Sequence, residues 1–325
     1  SYLGTDSITV LNNTPSSLTV TAGAIQTAGT AFNVTLTVRD QYLNPCSSYA
    51  GGHSLSWTAS TFTSSVANPI VYPTNPVTFG ASGSATISIT LYKAETGTFG
   101  VSDDSGPALT ATSGSILVNP AATITTMTVS VTGPVTAGTP FNSDIDAFDA
   151  YGNLMTNLNG AAPCVVAGLA AAPLAAASTP TSLTWASGEE TISCTAVLVV
   201  TGETITVTVA GVSATSNTFN VVHAVESFFD VFTSIDTSTH GTAGTAFTTT
   251  LTAKDAYGNI ATSYAGNKTI TFGGLSNAPD TTSPVYPTNP ISFTNGESGS
   301  LNVTPYYAGT EAFTEYIMPL ISQHM

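Results

Sequence analysis

Ala28-Gly29-Thr30-Ala31-Phe32, followed by Asp40-Gln41-Tyr42-Leu43-Asn44, is the stretch that decides the fold. The pair returns as Ala137-Gly138-Thr139-Pro140-Phe141 with Asp149-Ala150-Tyr151-Gly152-Asn153. It returns again as Ala243-Gly244-Thr245-Ala246-Phe247 with Asp255-Ala256-Tyr257-Gly258-Asn259. Each Asp lies 12 residues beyond its Ala, and the copies are 109 and then 106 residues apart. Two markers that hold one offset three times define an internal repeat. Repeats one and three share more: Ser48-Tyr49-Ala50-Gly51 matches Ser263-Tyr264-Ala265-Gly266, and Val71-Tyr72-Pro73-Thr74-Asn75-Pro76 recurs intact at Val285–Pro290.

Between the markers the pattern is that of strands. Phe32-Asn-Val-Thr-Leu-Thr-Val38, Ala85-Thr-Ile-Ser-Ile-Thr-Leu91 and Thr204-Ile-Thr-Val-Thr-Val209 alternate apolar and polar residues. A period of two with one apolar face marks a half-buried strand. No segment sustains a 3.6-residue period, and the Ala/Pro-rich stretch 161–180 is broken by prolines. Several short strands per repeat with turn signals between them predict an all-β chain of three tandem Ig-like β-sandwiches. The boundaries read as an N-terminal strand at 1–12, then domain one at 13–121, domain two at 122–223 and domain three at 224–325.

The Asp-x-Tyr-x-Asn element sits at the end of the second strand of each repeat. Gly-Asn supplies a positive φ and Asp caps the turn, so the element reads as a turn with its Tyr ring packed on the sandwich edge. The rival reading is a Ca²⁺ site using Asp144, Asp146 and Asp149, but the dense Asp-x-Asp-x-Asp-Gly loop of such a site is missing. These repeats resemble the bacterial Ig-like domains found in tandem in prokaryotic surface proteins, including invasin- and intimin-type adhesins. The Asp-x-Tyr-Gly-Asn turn after a Thr/Val-rich strand carries the resemblance over nearly the whole chain, and Leu43 in repeat one departs from it. The resemblance implies a domain type and no particular function, and it carries over no ligand-binding residues.

Composition bounds the function. Of 325 residues only 7% are charged, and 4 Lys+Arg against 19 Asp+Glu give a net charge of −15. Phosphate binding needs clustered Lys and Arg, so nucleic acid and anionic membranes are not expected as partners. No run of 18 apolar residues is present, so no insertion of this chain into a membrane is expected. No Lys or Arg lies between Lys93 and Lys254. A Ser/Thr-rich, charge-poor, protease-resistant surface suits the outside of a cell. The four histidines (His53, His223, His240 and His324) form no metal-ligand pattern, and no Gly-x-Ser-x-Gly elbow is present. Glu189-Glu190 reads as a solvated turn. No enzyme activity and no cofactor are expected. Trp57, Trp185, Phe79 and Phe293 read as core.

Cys164 and Cys194 fall in one repeat, each inside an expected strand, so either a disulfide or two buried thiols is expected there, while Cys46 has no partner in its own repeat. Asn33, Asn267 and Asn302 open Asn-x-Thr sequons and would accept glycans where the machinery exists.

The ends are out of phase. Repeat one closes on Ser115-Ile-Leu-Val-Asn-Pro120 and repeat two on Thr218-Phe-Asn-Val-Val222. Asp6-Ser7-Ile8-Thr9-Val10-Leu11 looks like such a closing strand with no repeat before it, whereas the counterpart after Phe313 is weak or absent. No leader-type segment opens the sequence, so a processed mature chain or an excerpt is expected. Two readings stay open. Residues 6–11 are donated to domain three of a second copy, building a head-to-tail homopolymer, or the chain is a section of a longer stalk or surface-layer array.

Overall fold

The computed structural model describes residues 4–63, 67–103, 108–236 and 238–316. It contains three successive β-sandwiches. In domain one, Pro15–Ala22, Ala31–Asp40 and Ser84–Thr90 form one antiparallel sheet. Leu55–Thr58, Gly100–Asp103 and Thr110–Thr112 form the facing one. The alternating residues read from the sequence point inward: Val34, Leu36, Val38, Ile87 and Ile89 are all buried between the sheets. A closing strand, Ile116–Asn119, runs parallel to Ile25–Thr27 and antiparallel to Thr96–Gly97.

Domain two repeats the plan. Thr126–Val131, Pro140–Phe148 and Glu189–Thr195 form one sheet. Ser182–Trp185, Gly160–Ala167, Thr206–Val209 and Val212–Thr215 form the other. Its closing strand, Phe219–Val222, lies between Val135–Thr136 and Val200–Glu203. Glu189 and Glu190 begin a strand rather than forming a turn; the turn lies one step earlier, at Ser187-Gly188, where both residues take positive φ.

Domain three is different. Glu226–Thr233 and Phe247–Asp255 pair as in the other domains, joined by Leu301–Val303, and Thr271–Gly273 pairs with Thr314–Tyr316. Among the described residues no strand takes the closing position. Among the described residues the contiguous buried cores of domains one and two hold 21 and 20 apolar residues and that of domain three holds 7, with Phe247 and Val303 buried outside it. Phe99 of domain one is fully buried, but Phe313, at the equivalent position, is only half-buried and stacks with Phe272 and Tyr286 beside Phe247. The expectation about the last residues falls, from 317 onward, outside the described residues.

Residues 6–11 form no strand either. Ile8 is 85% and Val10 83% exposed. An isolated strand has no partner for its backbone groups, so the alternation alone does not fold it. Phe79, Phe293 and Trp185 are buried as expected; Trp57 is half-buried and stacks on Tyr72.

Candidate functional site at the joints and ends of the repeats

The Asp-x-Tyr-x-Asn element turns out to join domains. Its Asp works within its own domain. Asp149 Oδ1 accepts the N–H groups of Tyr151 and Asn153, and Asp149 Oδ2 accepts Asn153 Nδ2 and the N–H of Ala121, where the chain enters from domain one. Asp255 does the same with Tyr257, Asn259 and Ala224. Asp40 does the same with Tyr42, Asn44 and Asn13. Burial raises the Asp40 carboxyl pKa, but the donors from Asn13, Asn44 and Tyr42 outweigh it and hold the group below the ordinary Asp value.

The Asn and Tyr reach backward into the preceding domain. Asn153 Nδ2 donates to the Tyr92 carbonyl and its Oδ1 accepts the N–H of Ala94, at 2.8 Å each. Asn259 repeats this on Val197 and Val199, at 2.8 and 3.1 Å. An amide side chain that meets one carbonyl and one N–H in this way reads a strand edge as a neighbouring backbone would. Tyr151 covers Gly29 and packs edge-on to Tyr92, with ring centroids 5.0 Å apart, while Tyr257 covers Gly138. A Cβ on either glycine would collide with the ring, and both glycines hold φ +74°. Each Tyr thereby joins the core of the domain before it. The expected packing on the edge of its own sandwich is therefore corrected. The ring needs a flat surface without a Cβ, and the Ala-Gly-Thr marker of the preceding repeat supplies it.

The Asp-held amide also gives a common ruler. Three and five residues before Ala121 stand Val118 and Ile116; the same offsets from Ala224 give Val221 and Phe219; from Asn13 they give Val10 and Ile8. Ile116 and Val118 are each 1% exposed and fill the core of domain one, as Phe219 and Val221 fill that of domain two. Residues 6–11 thus carry the inward positions of a closing strand, in register, without a core to enter. Their exit is pinned: Asn12 Oδ1 accepts from Ser47 Oγ, and its Nδ2 donates to Ser48 Oγ, both at 2.8 Å.

Solved structures of bacterial surface proteins align along most of the chain. The Escherichia coli adhesin FdeC aligns over 95% of this chain and 95% of its own, at 19% identity and a TM-score of 0.44. Yersinia pseudotuberculosis InvD aligns over 91% of this chain and 86% of its own, at 20% identity and a TM-score of 0.45. Domains 4–9 of the surface layer protein SbsC align over 93% of this chain and 47% of that one, at 17% identity and a TM-score of 0.29. No protein-family model matches this sequence, and a search of the curated proteins finds no match.

Domain three repeats the residues on which the joints of domains one and two are built. Gly244 holds φ +78°, and its N–H donates to the Pro305 carbonyl, as Gly29 donates to Leu91 and Gly138 to Ala196. Tyr306 and Ala308 then stand where Tyr92 and Ala94 stand in domain one. Ala28 and Ala137 donate their N–H groups to the closing-strand carbonyls of Asn119 and Val222. The same group of Ala243 has no such partner among the described residues.

The other expected sites are dispersed. All three cysteines are free, buried thiols, so the Cys164–Cys194 disulfide is not formed in the structure. Cys164 Sγ donates to the Pro180 carbonyl, and burial together with the neighbouring Cys164 pushes the Cys194 thiol up to about 11. Both behave as small apolar core residues. Asn33, Asn267 and Asn302 are exposed. Asp144 accepts from Thr191 Oγ1 and Asp146 from Thr128 Oγ1, and Asp149 is committed to its turn; no metal-holding cluster occurs among the described residues. One buried polar group was not anticipated. The Tyr49 hydroxyl donates to Asp103, and the His53 ring stacks on Tyr49 at 3.7 Å with Nδ1 3.3 Å from the same carboxylate. The only advance signal was Tyr49 within the shared Ser-Tyr-Ala-Gly run, since Asp103 lies 54 residues away.

Proposed function

We propose that this chain is a structural subunit of an extracellular filament or cell-surface appendage, polymerising head-to-tail by donor-strand complementation. Residues 6–11 of one copy close domain three of the next. The observation that carries the reading is the shared register. Ile8 and Val10 occupy the positions that put Ile116 and Val118 into the core of domain one, yet they stand in solvent, while domain three has its closing position unfilled among the described residues. Inserted there, Ile8 meets Phe247, as Phe219 meets Phe141 at 5.4 Å in domain two. The Leu11 carbonyl takes the N–H of Ala243, as Asn119 takes that of Ala28. Burying the two side chains contributes about 1.5–3 kcal/mol each before the cost of association. A surface with 7% charged residues and no Lys or Arg between 93 and 254 fits life outside the cell.

The same register also supports a second reading, in which residues 6–11 close a preceding repeat of one longer surface stalk. Negative-stain electron microscopy separates them. Under the first reading the purified chain forms fibres with an axial repeat of about 100–120 Å, from strand rise plus loops, and deleting residues 1–12 leaves single particles. Isolated rods at every concentration would reject the filament.

A further inference from the structure

We infer that the junction between copies has a second lock besides the donated strand: Tyr42 and Asn44 of one copy dock on Gly244, Tyr306 and Ala308 of its neighbour. The inference rests on the head-to-tail reading above. The molecule displays this lock twice internally, and each half also occurs once without its partner.

The first half is at domain one. Tyr42 is 70% exposed, and among the described residues Asn44 Nδ2 bonds only to Asp40, at 3.1 Å, where Asn153 and Asn259 also reach the preceding domain. Its own turn holds Leu43, with the Leu43 N–H donating to the Asp40 carbonyl and Arg39 Nη1 donating to the Leu43 carbonyl at 2.7 Å. Leu43 takes φ +68° where the other two repeats place Gly152 and Gly258, so the turn is kept although its residue is unfavourable. The second half is at domain three. Gly244 has the left-handed φ of Gly29 and Gly138, and among the described residues only the Tyr306 ring comes near its missing Cβ, at 3.8 Å. In the first internal joint Tyr92 is the ring beside the docked Tyr151; Tyr306 repeats that residue, where domain two has Val197. The free socket is therefore closest in kind to that of domain one.

The occupant is a second copy of this chain. The incoming strand and the lock leave one domain from the same place, because Asp40 holds both the Asn13 amide and the Tyr42-Asn44 turn. A strand seated with Leu11 against Ala243 carries Asp40 to the position that Asp149 has beside domain one. Tyr42 then covers Gly244 edge-on to Tyr306. Asn44 Nδ2 donates to the Tyr306 carbonyl, and the Ala308 N–H donates to Asn44 Oδ1. The lock fixes the angle between copies, and the strand supplies the core.

Two measurements on the full chain test this and keep it apart from the strand itself. A synthetic peptide of residues 4–14 is titrated calorimetrically into chain carrying Ile8→Asp and Val10→Asp, which cannot donate. Separately, the critical concentration for fibre formation is compared for the parent, Tyr42→Ala and Tyr42→Phe chains. We expect the peptide to bind. We expect Tyr42→Ala to raise the critical concentration about tenfold or more, as loss of a buried interface Tyr does, with Tyr42→Phe near the parent and the thermal unfolding of unassembled chain unchanged. Peptide binding with an unchanged critical concentration in Tyr42→Ala would overturn the lock and leave the strand. No peptide binding, but fibres sensitive to Tyr42, would keep the lock and reject the strand. Neither binding nor fibres would overturn both.

Discussion

Domains one and three carry the same sequence markers and differ in how much core they bury. They share the Ala-Gly-Thr and Asp-x-Tyr-x-Asn markers, the Ser-Tyr-Ala-Gly turn and the Val-Tyr-Pro-Thr-Asn-Pro run. Among the described residues domain one encloses 21 buried apolar residues and domain three 9. Among the described residues, domain one has a closing strand and domain three has none. Ile116–Asn119 seals domain one by putting Ile116 and Val118 between the sheets and pairing both flanking edges. Among the described residues domain three shows no equivalent, Phe313 is half-buried and the Ala243 amide has no such acceptor. The last strand contributes little of the sequence and much of the closure.

Substitutions sharpen this comparison. Ile116→Ala should destabilise domain one by about 2–5 kcal/mol, the cost of emptying a core site. Ile8→Ala, at the matching position, should leave the unassembled chain within about 0.5 kcal/mol of the parent. Urea unfolding of the two variants at low protein concentration checks both. An equal loss would mean that residues 6–11 are already buried within their own chain.

The joints allow a second contrast. Asn259 is buried and bridges domains two and three, whereas Asn44 serves only its own turn. Asn259→Ala strands a buried carbonyl and an N–H in domain two as well as Asp255, and should cost about 1–3 kcal/mol. Asn44→Ala should cost less than half as much in the unassembled chain. Thermal unfolding of both variants decides, and equal losses would remove the distinction between occupied and free joints.

Leu43→Gly brings repeat one to the pattern of the other two. Relief of the positive φ at Leu43 should stabilise domain one by about 1 kcal/mol; a loss of stability would show that Leu43 makes a contact worth more than its strain.

The smallest effect concerns acid. The Asp40 pKa is depressed in the folded chain, so its contribution to stability is complete above the ordinary Asp value of 3.8 and fades as pH falls through the folded value. Amide exchange at Asn13, held by Asp40, should therefore stay slow at pH 4 and quicken only well below 3.8. Quickening already above pH 4 would contradict the assignment.

Much of this architecture was legible in the residues. The repeat markers located all three sandwiches, and alternation picked out Ala31–Asp40 and Ser84–Thr90 because one face of each must be dry. The joint was not legible. A glycine used as a flat landing site has no periodic pattern, and the ring that covers Gly29 is Tyr151, in the next domain. The recurring Tyr was visible; its direction was not, since a turn residue can face its own sheet or the neighbouring one. The alternation of residues 6–11 was visible as a pattern, but a strand forms only against an edge, and among the described residues, residues 6–11 pair with none.

The central claim is that residues 6–11 become the closing strand of domain three in another copy. Hydrogen–deuterium exchange of the chain, compared between dilute and concentrated samples, tests it most directly. The account predicts that residues 6–11, Phe247–Asp255 and the segment around Ala243 gain protection together as concentration rises, while Ile116–Asn119 is protected throughout. Fast exchange at residues 6–11 at every concentration, with domain three no better protected, would contradict it.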